Sequence, residues 1–276
     1  MNKSIIGNIL DIVLFVIAFV VIQFVILNIC AFIWAASNGL DHTAVIQGIP
    51  KGEYGALTAV ANVFSSLITV VVFAKLKWTP VKRQYLASKP WFTLVWVILL
   101  TIGLILPLQW IYEQMEITLS KDYEALFSSL FKEPWGYVAV GVLAPVAEEF
   151  VFRGAILRTL LGMMDRKLHW VAIAISALLF AVIHGNLAQG VNAFALGCLI
   201  GWMYYRTNSL IPGIVLHWTN NTVAYVLANL FPQLSDGNLI DFFHGDEKLM
   251  WGGLFFSLCI VIPSFFQLFI RLKKAE

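Results

Sequence analysis

Apolar stretches of about 17–27 residues recur along the whole sequence, at roughly 9–35, 55–76, 91–112, 135–161, 169–185, 189–206, 210–231 and 250–271. Each is long enough to cross about 30 Å of hydrocarbon as a helix, at about 1.5 Å per residue. Isolated strands would leave backbone groups unsatisfied in lipid, and the stretches lack the ten-residue alternation of barrel strands. The sequence therefore predicts an all-α, polytopic membrane helix bundle of about eight transmembrane helices. Composition agrees: 60% of the residues are hydrophobic and 12% charged, against about 25% charged in a soluble domain. The apolar surplus exceeds what one soluble core needs, so it must face lipid.

No internal repeat or low-complexity linker divides the chain, so residues 1–276 read as one membrane domain. The first apolar run follows Lys3 with no small-residue cleavage site, and it is too long for a signal sequence, so it reads as a retained helix. Cys30, Cys198 and Cys259 lie inside apolar stretches and read as small core residues. A net charge of +2 argues neither for nor against nucleic acid; the expected partners are the lipid bilayer and a membrane-associated protein or peptide, prenylated or not, and no nucleic acid. Segment 112–134 differs from the spans. It mixes acids with Lys121, Lys132, Leu126, Phe127, Leu130 and Phe131, which suggests an amphipathic turn or helix lying along the membrane.

Basic residues set the orientation, because translocated loops are depleted of them. With eight spans both termini share one side. That side collects Lys3, Lys75, Lys77, Lys82, Arg83, Lys89, Arg158, Arg166, Lys167, Arg206, Arg271, Lys273 and Lys274. The opposite side holds Lys51, Lys121, Lys132 and Lys248, and most acids, among them Glu116 and Asp236. Both termini are expected to be cytoplasmic, in a bacterial plasma membrane.

One basic residue, Arg153, falls inside a span, next to Glu148 and Glu149 in Ala-Pro-Val-Ala-Glu-Glu-Phe-Val-Phe-Arg-Gly. A charge at mid-bilayer costs roughly 2.5–3.5 kcal/mol on insertion scales, so three within six residues need a reason. Glu149 and Arg153 are four apart with the acid first, the favourable order for an ion pair on one helix face. Such a pair explains those two residues and leaves Glu148, about 100° away, to meet another helix. His184 ends the fifth span, and His217 lies in the seventh, four residues before Asn221 on the same face. A single histidine at a helix end is often a packing residue. Two of them with a carboxylate pair, on three spans, point to chemistry.

The sequence has no Gly-x-Ser-x-Gly turn, no His-Glu-x-x-His and no Walker lysine. A carboxylate with two imidazoles suits activation of water by general base catalysis, by a metal, or by both. Desolvation raises the pKa of a buried carboxyl, bringing it nearer the pH at which it accepts a proton efficiently. An imidazole and an amide on one helix face can donate hydrogen bonds to a developing oxyanion. Hydrolysis of an acyl bond inside a membrane cavity follows.

Three motifs in order, Glu148-Glu149-x-x-x-Arg153, Phe180-x-x-x-His184 and His217-x-x-x-Asn221, resemble those of the CAAX-protease and bacteriocin-processing family. This family, also called CPBP or Abi, includes the Ras-converting CAAX endopeptidases and the lysostaphin-resistance-A-like proteins. The motif region is 135–231; the other spans contribute hydropathy alone. The resemblance implies an intramembrane metalloendopeptidase whose active site is carried by Glu148, Glu149, His184, His217 and Asn221. Glu148 would activate water with His184, His217 and Asn221 would stabilise the oxyanion, and Glu149 with Arg153 would brace the helix. Zinc is the candidate cofactor, with Glu149, His184 and His217 as the three-ligand set; glutamate acting alone is the alternative. Two other functions remain in view. Buried Glu and His also build proton-coupled transporters, although no matching pair of broken helices marks two halves. A catalytically idle scaffold or immunity protein would carry the same motifs.

One geometric demand follows. His184 lies near the far end of its span and His217 near the start of its own, so the fifth helix must stop early, at Gly185, for the two to meet. Gly197 and Gly201, a small-xxx-small pair, would let the sixth span approach a neighbour closely.

Overall fold

A computed structural model describes residues 4–81, 83–115, 117, 120–231 and 238–274, and among these there are helices and turns but no strand. Lys3, Lys82, Glu116 and Asp236, which entered the charge comparison, lie outside the described residues. The long elements in chain order are α1 (Ile5–Asn38), α2 (Gly55–Lys75), α3 (Trp91–Glu113), α4 (Lys121–Lys132), α5 (137–163), α6 (His169–Val182), α7 (Leu187–Thr207), α8 (Ile211–Leu230) and α9 (Glu247–Arg271). All-α polytopic architecture is thus the observed fold.

Among the described residues, α1, α2, α3, α7 and α9 are long and apolar enough to cross a membrane. The other three expected spans differ from these for physical reasons. Helix α6 has 14 residues, about 21 Å at 1.5 Å per residue. Helix α8 dilutes its apolar surface with His217, Asn220 and Asn221. Helix α5 runs continuously but is not uniformly α-helical: Tyr137–Leu143 and Phe150–Leu157 are π-helical, with α-helical Ala144–Glu149 and Arg158–Met163 between and after them. The exposed large side chains on the spans are apolar, such as Ile6 at 70% and Phe256 at 69%. In a chain this hydrophobic that is a lipid-facing surface, and the protein is an integral membrane protein.

Two compact units divide the chain. The first comprises Met1–Val81 and Leu119–Ala172. Helices α1 and α2 pack along each other here, and α5 packs on α2. Ser4 starts α1 by accepting a hydrogen bond from the backbone N–H of Gly7 at 3.1 Å, which satisfies one of the helix's open donors. Helix α4 has the amphipathic pattern expected of its segment: Leu130 is buried against Ala59 and Ala139, and Leu126 packs on the same cluster. Its Tyr123, Phe127 and Phe131 form a ring ladder, with centroids 6.5 and 5.8 Å apart.

The second unit comprises Lys82–Thr118 and Ile173–Glu276. Helices α3 and α9 form its main pair, with the rings of Trp110 and Trp251 5.8 Å apart. Helix α8 packs on both α3 and α7. A Cβ on Gly201 would meet Cγ2 of Ile173 at 2.9 Å, so α7 approaches α6 closely where the small-residue pattern falls.

Candidate active site

In the first unit, the acidic motif occupies the α-helical turn between the two π-helical segments of α5. Pro145 sits at the start of that turn. It lacks an N–H, and its ring would crowd the carbonyl of residue 141 in a regular α-helix; the widened turn directly before it relieves that crowding. A π-turn carries one residue more than an α-turn and often marks a functional position. No composition or spacing signal in the sequence announced it.

Arg153 Nη1 donates to Oε1 of Glu149 at 2.9 Å. The two side chains are 1% and 0% exposed, so both charges are withdrawn from solvent and each depends on its neighbours for compensation. Glu148, one position earlier, is half-buried. The π-helical backbone after the motif is held from outside the helix. Thr79 Oγ1 donates to the Phe150 carbonyl at 2.5 Å, and Gly154 makes room for it, since a Cβ there would run into Thr79 Cγ2. Arg158 adds a second clamp, donating from Nε to the Gly154 carbonyl at 2.9 Å and from Nη2 to the Trp78 carbonyl at 2.7 Å. Thr79 and Arg158 were not singled out from the sequence. A hydroxyl and a guanidinium just outside apolar runs carry no motif, and their partners are backbone carbonyls.

In the second unit, α6 ends at Val182 and a turn follows through Ile183 and His184 to Gly185, whose φ is 71°. The helix does stop where the two histidines required it to. Gly185 takes the left-handed conformation that glycine tolerates without a Cβ penalty. Asn186 then caps α7, its Oδ1 accepting from the Gln189 N–H at 2.8 Å, and its Nδ2 donates to the His184 carbonyl at 3.2 Å. The imidazole of His184 is oriented by the Phe180 carbonyl, 2.8 Å from Nδ1. A carbonyl can only accept, so Nδ1 carries a proton directed at it.

Phe180 links the two histidines. Its ring meets His184 edge-to-face, with centroids 4.9 Å apart and planes at 88°, and meets the buried His217 at 5.6 Å and 82°. Both imidazoles therefore pack on one aromatic ring. Asn221 follows His217 by about one turn on α8 and accepts from Asn220 Nδ2 at 3.2 Å.

The donor types of Glu149, His184 and His217 suit zinc. Glu149 already meets the Arg153 guanidinium through Oε1 at 2.9 Å, so part of its charge is compensated within its own helix. Among the described residues of either unit, no three His, Cys, Asp or Glu side chains stand together as a metal site.

Residues 130–223 match the family described as type II CAAX prenyl endopeptidase Rce1-like. The chain carries a Rce1-like segment. The matched segment begins in α4 and ends in α8, taking in all three motifs, and it agrees with the CAAX-protease resemblance drawn from them. No curated protein and no solved structure matches the chain. The Rce1-like match and the apolar helices together support a membrane endopeptidase.

Proposed function

We propose that this protein is an intramembrane endopeptidase that hydrolyses a peptide bond in a membrane-associated protein or peptide, using water activated by Glu148. The observation that carries the reading is the packing of His184 and His217 on Phe180, inside the segment that matches the Rce1-like family. Two imidazoles ordered on one ring are poor candidates for chance packing in a lipid-facing helix bundle.

The Glu148 carboxylate takes a proton from water, and the resulting hydroxide attacks the carbonyl carbon of the scissile bond. His184, through Nε2, holds the attacking water. His217 and Asn221 donate to the oxyanion that forms, where each such donor is typically worth about 3–4 kcal/mol. The protonated Glu148 then returns its proton to the leaving amine as the C–N bond breaks, so the base is regenerated with no net proton change at the enzyme. Glu149 and Arg153 keep the helix and its carboxylates in place. No metal is needed for these steps.

Cleavage of membrane peptides by the purified full chain, compared with Glu148→Gln, tests the reading. Full activity in the variant removes the general-base assignment. In this reading the termini face the cytoplasm, as the basic residues indicate. Reporter fusions placing the C-terminus outside would overturn that orientation.

A further inference from the structure

The first unit contains a cavity of about 690 Å³ that the hydrolytic set does not use. Its lining includes Asn8, Asp11, Phe15, Lys77, Trp78 and Arg158. The start of α1, the end of α2 and the end of α5 converge on it, since Ile5, Leu76 and Met163 also line it. The volume lies within the range of about 300–1,000 Å³ usual for small-ligand sites. Three features say what such a site would take.

The cations are placed with unusual care. Arg158 is fixed by two backbone carbonyls, at 2.9 and 2.7 Å. A guanidinium has five N–H donors, so those two bonds orient it and leave others for a ligand. Lys77 occupies the left-handed position just after α2, with φ 58°, where the chain doubles back through Lys77 N–H to Ala74 and Thr79 N–H to Phe73. Glycine is the usual residue there, and any L side chain is disfavoured. The chain accepts that penalty and sets a lysine at the cavity lining.

The second feature is the wall. Phe15, Phe73 and Trp78 pack as an aromatic cluster, with centroids 5.0–6.1 Å apart, so the cations stand beside a rigid apolar surface. The third is position. These helix ends are where an apolar span gives way to polar loop, the level at which lipid head groups lie. Among the described residues of the lining, Asp11 is the acid, against Lys77 and Arg158.

We infer that this cavity binds an anionic phosphate group, with Lys77 and Arg158 as its cationic contacts and the Phe15–Trp78 wall beside its apolar attachment. The site is independent of the hydrolytic reading. A phospholipid head group and a free phosphate share this chemistry, and they can be told apart.

The full chain in neutral detergent is titrated with dioleoylphosphatidylglycerol, dioleoylphosphatidylcholine or inorganic phosphate, and binding is followed by the rise in melting temperature. The informative variant is Lys77→Gly. It removes the ammonium while giving the left-handed position its preferred residue, so it should fold with an unchanged or higher basal melting temperature. Lys132→Ala, at the end of α4, is the control. The wild type should favour phosphatidylglycerol over phosphatidylcholine. Lys77→Gly should weaken that binding about tenfold, the loss of one charge-assisted contact, and Lys132→Ala should leave it unchanged. Competition by inorganic phosphate identifies the bare anion as sufficient; absence of competition identifies the intact lipid. Equal binding of the two lipids, or phosphatidylglycerol binding in Lys77→Gly that matches the wild type, overturns the proposal.

Discussion

The acidic motif on α5 and the histidine pair of the second unit are positioned by opposite means. On α5 the chain stays helical throughout, and the charged groups are held by burial. Glu149 and Arg153 are almost fully withdrawn from solvent, and their backbone is clamped by Thr79 and Arg158. In the second unit the helix is broken on purpose. Helix α6 stops at Val182, Gly185 turns the chain, and His184 sits in a short turn against the carbonyl and the ring of Phe180. The first device is costly to assemble and hard to disturb. The second sets two imidazoles against a single ring at a helix end. Substitutions in the two regions should therefore fail differently, and the following experiments are ordered from the largest expected effect to the smallest.

Glu148→Gln should lower peptide cleavage by about 10²–10⁴-fold, the usual worth of a positioned acid–base group. Glutamine keeps the volume and hydrogen-bonding capacity, so the melting temperature in detergent should stay near that of wild type. Cleavage that persists while melting drops would place Glu148 with the structural pair instead.

Arg153→Ala should destabilise the fold by about 3–5 kcal/mol, because it strands the Glu149 carboxylate in the interior. Chemical or thermal denaturation in detergent reads this directly. Glu149→Gln combined with Arg153→Met should recover part of the loss, since neither residue then buries a charge. If the double variant is no better than Arg153→Ala, burial of charge is not what the α5 device contends with.

Phe180→Leu should lose about 0.5–1.5 kcal/mol for each edge-to-face contact, beyond the area it buries. The sharper readout is activity: cleavage should fall by more than the loss of folded protein explains, because both imidazoles lose their shared support. A fall that tracks stability alone would reduce the ring to core packing. Gly185→Ala should be mildest, about 1 kcal/mol for forcing a Cβ into the left-handed region, with cleavage falling only modestly.

Much of this was legible in the sequence because the physics involved is local. Hydropathy marked the spans, the four-residue interval placed Arg153 beside Glu149, and the disagreement between the depths of His184 and His217 required a stop at Gly185. What the sequence did not reveal depends on hydrogen bonds between distant segments. The π-helical parts of α5 differ from α-helix only in which carbonyl each N–H reaches. Thr79 meets Phe150 across 71 positions. Helices α6 and α8 looked like ordinary spans to a hydropathy reading, yet one is short and the other carries polar groups on its length. The distribution of roles among Glu148, His184, His217 and Asn221 rests on the motif resemblance, because a side chain's place in a reaction is not a local property of its sequence.

The widened turns of α5 have a bearing on how this protein can vary. A π-turn contains one residue more than a regular helical ladder requires, so deleting a single residue within 150–157 would restore ordinary i→i+4 bonding rather than break the helix. The wide turn absorbs the extra residue, so the helix before and after it would keep nearly its course, while side chains inside the turn would shift face. A deletion after Arg153 would keep the four-residue interval from Glu149 to Arg153, and one before it would not. Where the chain is shortened within that turn therefore separates a change of aim from the loss of a buried charge pair.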